Sequence, residues 1–334
     1  MMNYDLFKEV VAEKILGYMP SEYQNSKVDI HSVTKINQTM DGLNIVPLDE
    51  RSAKILPTIY LNPMYDYYRE CNDLEDVLRK AAESLEKAFH HVPDASPMID
   101  FGKAKDNIIM QLVNTEQNRS LLDNLPHREF QDLSIIYRWL MGNDRNGISS
   151  TIVNSDLAKK MGMSEEQLFQ AAVVNTKRLM PPAIKSMNEI IREMVMKDGM
   201  PEEIADMVLD EMSNDKAMYV ITNERGIHGA ASMLYEDGLH ELAEKVGSDL
   251  YIMPSSLHEV IAVSSNLGDP NILAQMVAEV NLEQVSLDER LSNQVYHYDK
   301  DLRKLSLATD TPNKRLDGII AEVNLIYDSK NQSR

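Results

Sequence analysis

The apolar positions change their period several times along this chain, and each change marks an element. Phe7, Val10, Val11, Ile15 and Tyr18 recur at a helical spacing, which predicts a helix over residues 3–18 ended by Pro20. Val28, Ile30, Ser32 and Thr34 then alternate with their neighbours, as on a strand. Met40-Asp41-Gly42 reads as a turn because Asp-Gly tolerates positive φ. Short strands are predicted over 43–47 and 55–61. Asn72-Asp73 can cap a helix with Leu74, Val77, Leu78, Ala81 and Leu85 on one face. The first unit is therefore predicted as helix, three-strand meander and helix, with a boundary between Pro93 and Pro97.

An apolar strand over 107–113 opens the middle stretch. Residues 133–141 and 148–153 read as a hairpin around the glycine-bounded loop 142–147. Asn154 starts a short helix, and Ser164-Glu165-Glu166-Gln167 is a capping-box pattern ahead of Leu168, Ala171, Ala172 and Asn175. Pro181-Pro182 is expected to start another helix through Ile184, Met187, Ile190, Ile191 and Met194. Residues 198–215 hold seven acidic residues and no Lys or Arg, so a solvated helix is predicted over 201–212. Beyond it lie a strand over 218–221, a turn over 223–226 and helical stretches over 229–234 and 238–246. Strands over 249–253 and 258–263 flank Pro254-Ser255-Ser256. Asp269-Pro270 starts a helix, 294–298 and 304–307 form a hairpin, and a last helix is expected over 311–328.

Helices and strands come in blocks, which predicts the α+β class: three mixed helix/strand units with short antiparallel sheets and a C-terminal helix. The expected organisation is 1–95, 100–198, an acidic connector over 199–215, an α/β unit over 216–307 and a tail over 308–334.

Composition narrows the function classes. Lys and Arg total 34 against 53 Asp and Glu, a net charge of −19, which argues against a general binder of nucleic-acid backbones. The single cysteine, Cys71, excludes an internal disulfide framework and a Cys-rich zinc site, and it fits a reducing cytoplasm. The N-terminal stretch is acidic at once and lacks an apolar run, so no secretory signal is expected. No window approaches ~18 uninterrupted apolar residues, so no membrane span is expected. The 21 methionines read mainly as filler on apolar helix faces.

The motifs of common chemistries are missing. None of the eight histidines forms an H-E-x-x-H pair, and the adjacent His90-His91 fall on different helix faces, so no metal is expected. No Gly-rich phosphate cradle and no G-x-S-x-G elbow occurs, and no cofactor is expected. Tyr65, Tyr67 and Tyr68 after Pro63 are read as packing under the helix that follows. The best polar cluster is Asn223, Arg225, His228, Ser255, Ser256, His258 and Glu259, carried by two loops that each follow a strand. If those strands are neighbours, the loops converge. His228 precedes Gly229-Ala230-Ala231, small residues that allow close backbone approach. Ser256 and His258 share one side of an extended segment while Glu259 points the other way, and nothing designates a third group to orient a base.

Several stretches carry a resemblance. They are residues 125–138 (Leu125-Pro126-His127-Arg128 onward), 164–179, Met218-Tyr219-Val220-Ile221-Thr222-Asn223 with Ile227-His228-Gly229-Ala230-Ala231, residues 250–261 and residues 291–299. Together they resemble a bacterial family of unknown function numbered 5688, common in gut Firmicutes, and are more distantly similar to the family numbered 1444. The resemblance spans roughly residues 1–307, and the helix at 311–328 lies beyond its usual end. It implies an intracellular bacterial protein and brings no reaction or site residues. The expectation is a non-enzymatic module that binds a protein or small ligand through the loops 223–229 and 254–259. One alternative is a hydrolase using His228, Ser256, His258 or Glu259. Another is an acidic mimic of nucleic acid.

Overall fold

A computed structural model describes residues 1–47, 56–90, 101–144, 147–197, 199, 218–311 and 315–317. The chain forms two compact units, Met1–Asp100 and Phe101–Arg334. The class is α+β, with three antiparallel sheets among the described residues. The expected boundary at 93–97, the acidic helix over 201–212 and most of the helix over 311–328 lie outside the described residues.

In the first unit, Asn3 caps the helix Tyr4–Lys14 by accepting the Leu6 amide at 2.9 Å. Its buried Phe7 and Val11, with Ile15 one turn on, form a single inward stripe. Strands β1 (Lys27–Lys35), β2 (Gln38–Val46) and β3 (Thr58–Tyr60) form the expected meander in that order. The turn lies elsewhere than expected. Lys35 pairs with Gln38, so Ile36 and Asn37 make the bend, with Asn37 at φ 62°. Met40-Asp41-Gly42 sits inside β2. A Cβ on Gly42 would meet Thr58 Cγ2 at 2.8 Å and Val33 Cγ2 at 2.9 Å, so this glycine serves close packing between strands. Asp41 accepts the Tyr4 hydroxyl at 2.9 Å and faces Lys8 Nζ at 3.0 Å. Helices Leu61–Cys71 and Leu74–His90 complete the unit. Tyr68 stacks on Phe7, the Tyr65 hydroxyl donates to the Met2 carbonyl at 3.0 Å, and the Tyr67 hydroxyl donates to Asp76 at 2.7 Å. The tyrosines thus pack and bond within their own unit.

The second unit holds two sheets. In one, β6 (Leu133–Asp144) is central: β4 (Ile108–Asn114) lies on one edge, and β5 (His127–Phe130) and β7 (Gly147–Ile152) share the other. The other sheet is fully antiparallel, in the order β13-β12-β10-β11-β9-β8. Its strands are β8 (Pro182–Ser186), β9 (Tyr219–Asn223), β10 (Leu250–Met253), β11 (Val260–Ser264), β12 (Tyr296–Asp299) and β13 (Lys304–Leu307). Pro181-Pro182 therefore opens a strand and not the expected helix. Strand β8 is an edge, where a proline's missing N–H is tolerated. The helix starts later, at Met187, where Ser186 and Glu189 cap each other's amides at 3.2 and 2.6 Å.

Every residue of β4 is buried. The helix Glu165–Leu179 and the 3-10 helix Gly229–Leu234 both pack against it. Thr176 Oγ1 accepts the Met110 amide at 2.8 Å, which satisfies one of the amides on the outer edge of β4. The β5–β6 turn supplies Asp132, whose carboxylate accepts the Ser292 and Tyr296 hydroxyls and ties the two sheets of this unit together. The capping box at Ser164 is present: Ser164 Oγ accepts the Gln167 amide and Gln167 Oε1 accepts the Ser164 amide. We expect Ser164→Ala to remove about 1 kcal/mol of stability. Urea unfolding reads this as a lowered midpoint with an unchanged slope, and an unchanged midpoint would contradict the cap's role.

Candidate functional site

Val260 at the start of β11 pairs with Ile221 near the end of β9, so the loops 223–229 and 254–259 do meet. Close backbone approach locks them. Thr222 Oγ1 donates to the His258 carbonyl at 2.8 Å, and the Ala230 amide donates to the Leu257 carbonyl at 3.2 Å. A Cβ on Gly229 would lie 2.2 Å from Thr222 Oγ1, 2.4 Å from the His258 carbonyl oxygen and 2.9 Å from the Asn223 nitrogen. Only glycine fits there.

The seven residues singled out by the sequence take different parts. Asn223 is buried and closes its own turn: Nδ2 donates to the Ile227 carbonyl at 2.9 Å, and Oδ1 accepts the Arg225 amide at 2.9 Å. Ser255 uses its backbone to join the Met253 and Leu291 backbones. Ser256 Oγ accepts the His258 amide at 3.0 Å. Arg225 and Glu259 are exposed. Among the described residues neither side chain bonds to a histidine.

His228 and His258 do come together. Their rings stack with centroids 5.9 Å apart and planes at 19°. The His228 amide donates to His258 Nδ1 at 3.2 Å. The neutral His258 ring therefore carries its proton on Nε2, which faces Glu289 Oε1 at 3.5 Å. Ser256 bonds to a backbone amide and not to a ring nitrogen, so the hydrogen bond of a nucleophile–base pair is missing.

His228 adopts φ 54° and ψ 26°, the left-handed region, which a non-glycine residue enters at a cost. Its Nδ1 is buried without a partner among the described residues. Burial first, then the charge of Arg138 and the neighbouring His258, push its pKa from near 6.5 to about 3, so the ring is neutral at physiological pH.

Two residues missed at the sequence level are linked to this histidine: the charge of Arg138 acts on it, and Gln111 bonds to Arg138. Ile227 packs against the buried cluster of Ile109, Leu140 and Met180, and Ile109 is the register partner of Arg138. Arg138 donates from Nε to Ser150 Oγ at 3.0 Å, from Nη2 to the Ser150 carbonyl at 3.3 Å and from Nη1 to Gln111 Oε1 at 3.1 Å. No carboxylate among the described residues pairs with it, and burial pulls its pKa below the usual guanidinium value. Gln111 is fully buried, and its Nε2 has no partner among the described residues. The available signal was a polar residue with apolar neighbours on both sides: Gln111 between Met110 and Leu112, and Arg138 between Tyr137 and Trp139. No group of three or more metal-ligating side chains is gathered among the described residues.

A separate cavity of about 630 Å³ lies between the helices Met187–Lys197 and Pro270–Gln284. Met187, Met218, Met253 and Met276 line it with Ile191 and Ile272, so part of the methionine content serves an open apolar surface and not the core.

Fold and site together define an α+β protein with a strained histidine at a loop junction. The chain matches a family model described as "Family of unknown function (DUF5688)" over residues 4–300, and it belongs to that family. No curated protein and no solved structure matches it. No helix among the described residues is long and apolar enough to cross a membrane.

Two outcomes follow. Gly229→Ala drives a methyl into backbone atoms, and we expect a loss of about 3 kcal/mol or more, read from the denaturant midpoint. The His228 value is depressed in the folded state, so the unfolded chain binds the extra proton between pH 6.5 and about 3. This residue's contribution is thus present above pH 6.5 and is lost as the pH falls through that window. His228→Asn, which tolerates the left-handed backbone, should flatten this part of the acid limb of stability against pH. An identical limb in both proteins would refute the assignment.

Proposed function

We propose that this chain is a non-enzymatic binding protein of the bacterial cytoplasm that holds a small polar ligand at the junction of the loops 223–229 and 254–259. The observation that carries this reading is His228. A non-glycine residue held at φ 54° beside an obligatory glycine, with a buried nitrogen left without a partner among the described residues, is a standing cost to the fold. Such a cost finds its return in something bound there. The single cysteine, exposed Cys71, supports a reducing compartment.

A hydrolase built on His228, Ser256, His258 and Glu259 has less support. The Ser256 oxygen is engaged by the His258 amide, His258 Nδ1 by the His228 amide, and Glu259 is exposed. His228, with a pKa of about 3, is a weak base. The acidic-mimic reading rests on net charge alone.

Protein purified under native conditions and then denatured should release a small molecule that mass spectrometry identifies. That molecule should rebind the refolded wild type and bind His228→Asn at least about tenfold more weakly. Equal affinity would move the site away from the loops. A protein that neither retains nor rebinds any small molecule would overturn the reading.

A further inference from the structure

We infer that the ligand of this site is a small oxyanion, a carboxylate or a phosphate group, and that Arg138 and Gln111 grip it beside His228. The inference rests on the binding reading above and adds the chemistry of what is bound.

The hydrogen-bond accounting around Arg138 is one-sided. A guanidinium has five N–H donors and stays charged in a protein. Three of those donors reach oxygens, and all three oxygens are neutral: Ser150 Oγ, the Ser150 carbonyl and Gln111 Oε1. Two N–H groups remain, one on each terminal nitrogen. The orientation of Gln111 is fixed by the same network, because its oxygen must face Arg138. Its amide nitrogen, fully buried, then holds two further N–H groups without an acceptor. His228 Nδ1 is a second buried nitrogen without a partner among the described residues. Strand β4, which carries Gln111, packs against the 3-10 helix that begins directly after His228.

The site therefore has donors in excess and lacks both an acceptor and a negative charge. Water supplies an acceptor and no charge. A carboxylate or phosphate oxygen supplies both, and a half-buried cation with no carboxylate beside it among the described residues is the costlier defect of the two. The composition sharpens the point: acids outnumber bases 53 to 34, yet this cation has no acid beside it among the described residues.

Potassium acetate and potassium phosphate serve as probes, with potassium chloride at matched ionic strength and acetamide as the neutral isostere of acetate. The readouts are the ring resonances of His228 and His258 and the melting temperature. In the wild type, acetate or phosphate should shift the His228 ring saturably and raise the melting temperature above the chloride control. The anion that binds more tightly tells a carboxylate from a phosphate ligand. Arg138→Met should weaken the response about 30-fold or more. Gln111→Glu, nearly isosteric, places a carboxylate beside Arg138. It should melt above the unliganded wild type and should no longer respond to the anions. Equal responses to acetate and chloride, or no response to either oxyanion, overturn the inference. So does a Gln111→Glu variant that melts lower and still binds anion. Saturable binding of acetamide with no preference for acetate keeps a ligand site at His228 but removes the charge assignment. The co-purification result then decides the underlying reading separately.

Discussion

A side chain at position 229 would meet the Thr222 hydroxyl oxygen at 2.2 Å and the carbonyl oxygen of His258 at 2.4 Å, and the local structure is arranged around that close approach. It lets the end of β9 lie against the start of β11. It leaves the preceding residue to absorb the bend, which puts His228 in the left-handed region with its amide on His258 Nδ1. It also starts the 3-10 helix Gly229–Leu234, which buries Ala230, Ala231 and Met233. That helix packs on β4, and β4 carries Gln111 to its bond with Arg138. One steric constraint thus connects the two histidines to the polar pair in the neighbouring sheet.

A second arginine of this unit, the buried Arg290, shows why the half-buried Arg138 stands apart. Arg290 donates to the carbonyls of Leu282, Val285 and Leu316, at 3.3, 2.9 and 2.6 Å. The first two belong to the end of the helix Pro270–Gln284 and the residue after it, where unpaired carbonyls carry partial negative charge. Arg290 is thereby a cap as well as a cation. Asp132 shows the acidic counterpart, with both carboxylate oxygens taken by hydroxyls from Ser292 and Tyr296. Arg138 lies in the middle of a strand, and its partners, the Ser150 hydroxyl and carbonyl and the Gln111 side-chain oxygen, are neutral groups outside any helix end.

What the sequence made legible was local. Asn154, Ser164 with Gln167, and Asp269 cap helices within three residues of themselves, so their roles follow from short spacing. Asp41-Gly42 carried a turn signal that tertiary packing overrode, since Gly42 is needed between Val33 and Thr58. Pro182 gave a signal shared by a first helical turn and an edge strand, and only the pairing with β9 decides between them. The meeting of the loops 223–229 and 254–259 was readable only on the condition that their strands were neighbours. Within that cluster the sequence could not separate Asn223 and Ser256, which bond to backbone, from His228 and His258, which face each other. Arg138 and Gln111 were beyond reach because they come from strands far from those loops in the chain and are joined to them by tertiary packing, of Ile227 on the Ile109 cluster and of the helix Gly229–Leu234 on β4.

The exterior and this interior site oppose each other in charge. A net charge of −19 repels anions over a Debye length of about 8–10 Å at ordinary ionic strength. An oxyanion approaching the loops gains no steering from the surface, and repulsion grows with the charge it carries. Its affinity must arise after entry, from N–H groups in a setting of low dielectric, where each bond is stronger than in water. Polyanions lose most on the way in and gain no more than one charged group's worth of bonds inside. A singly charged ligand loses least and gains the same. The acidic surface and the donor-rich interior together therefore select for a small, lightly charged oxyanion over nucleotides and nucleic acids, in accord with the missing phosphate cradle.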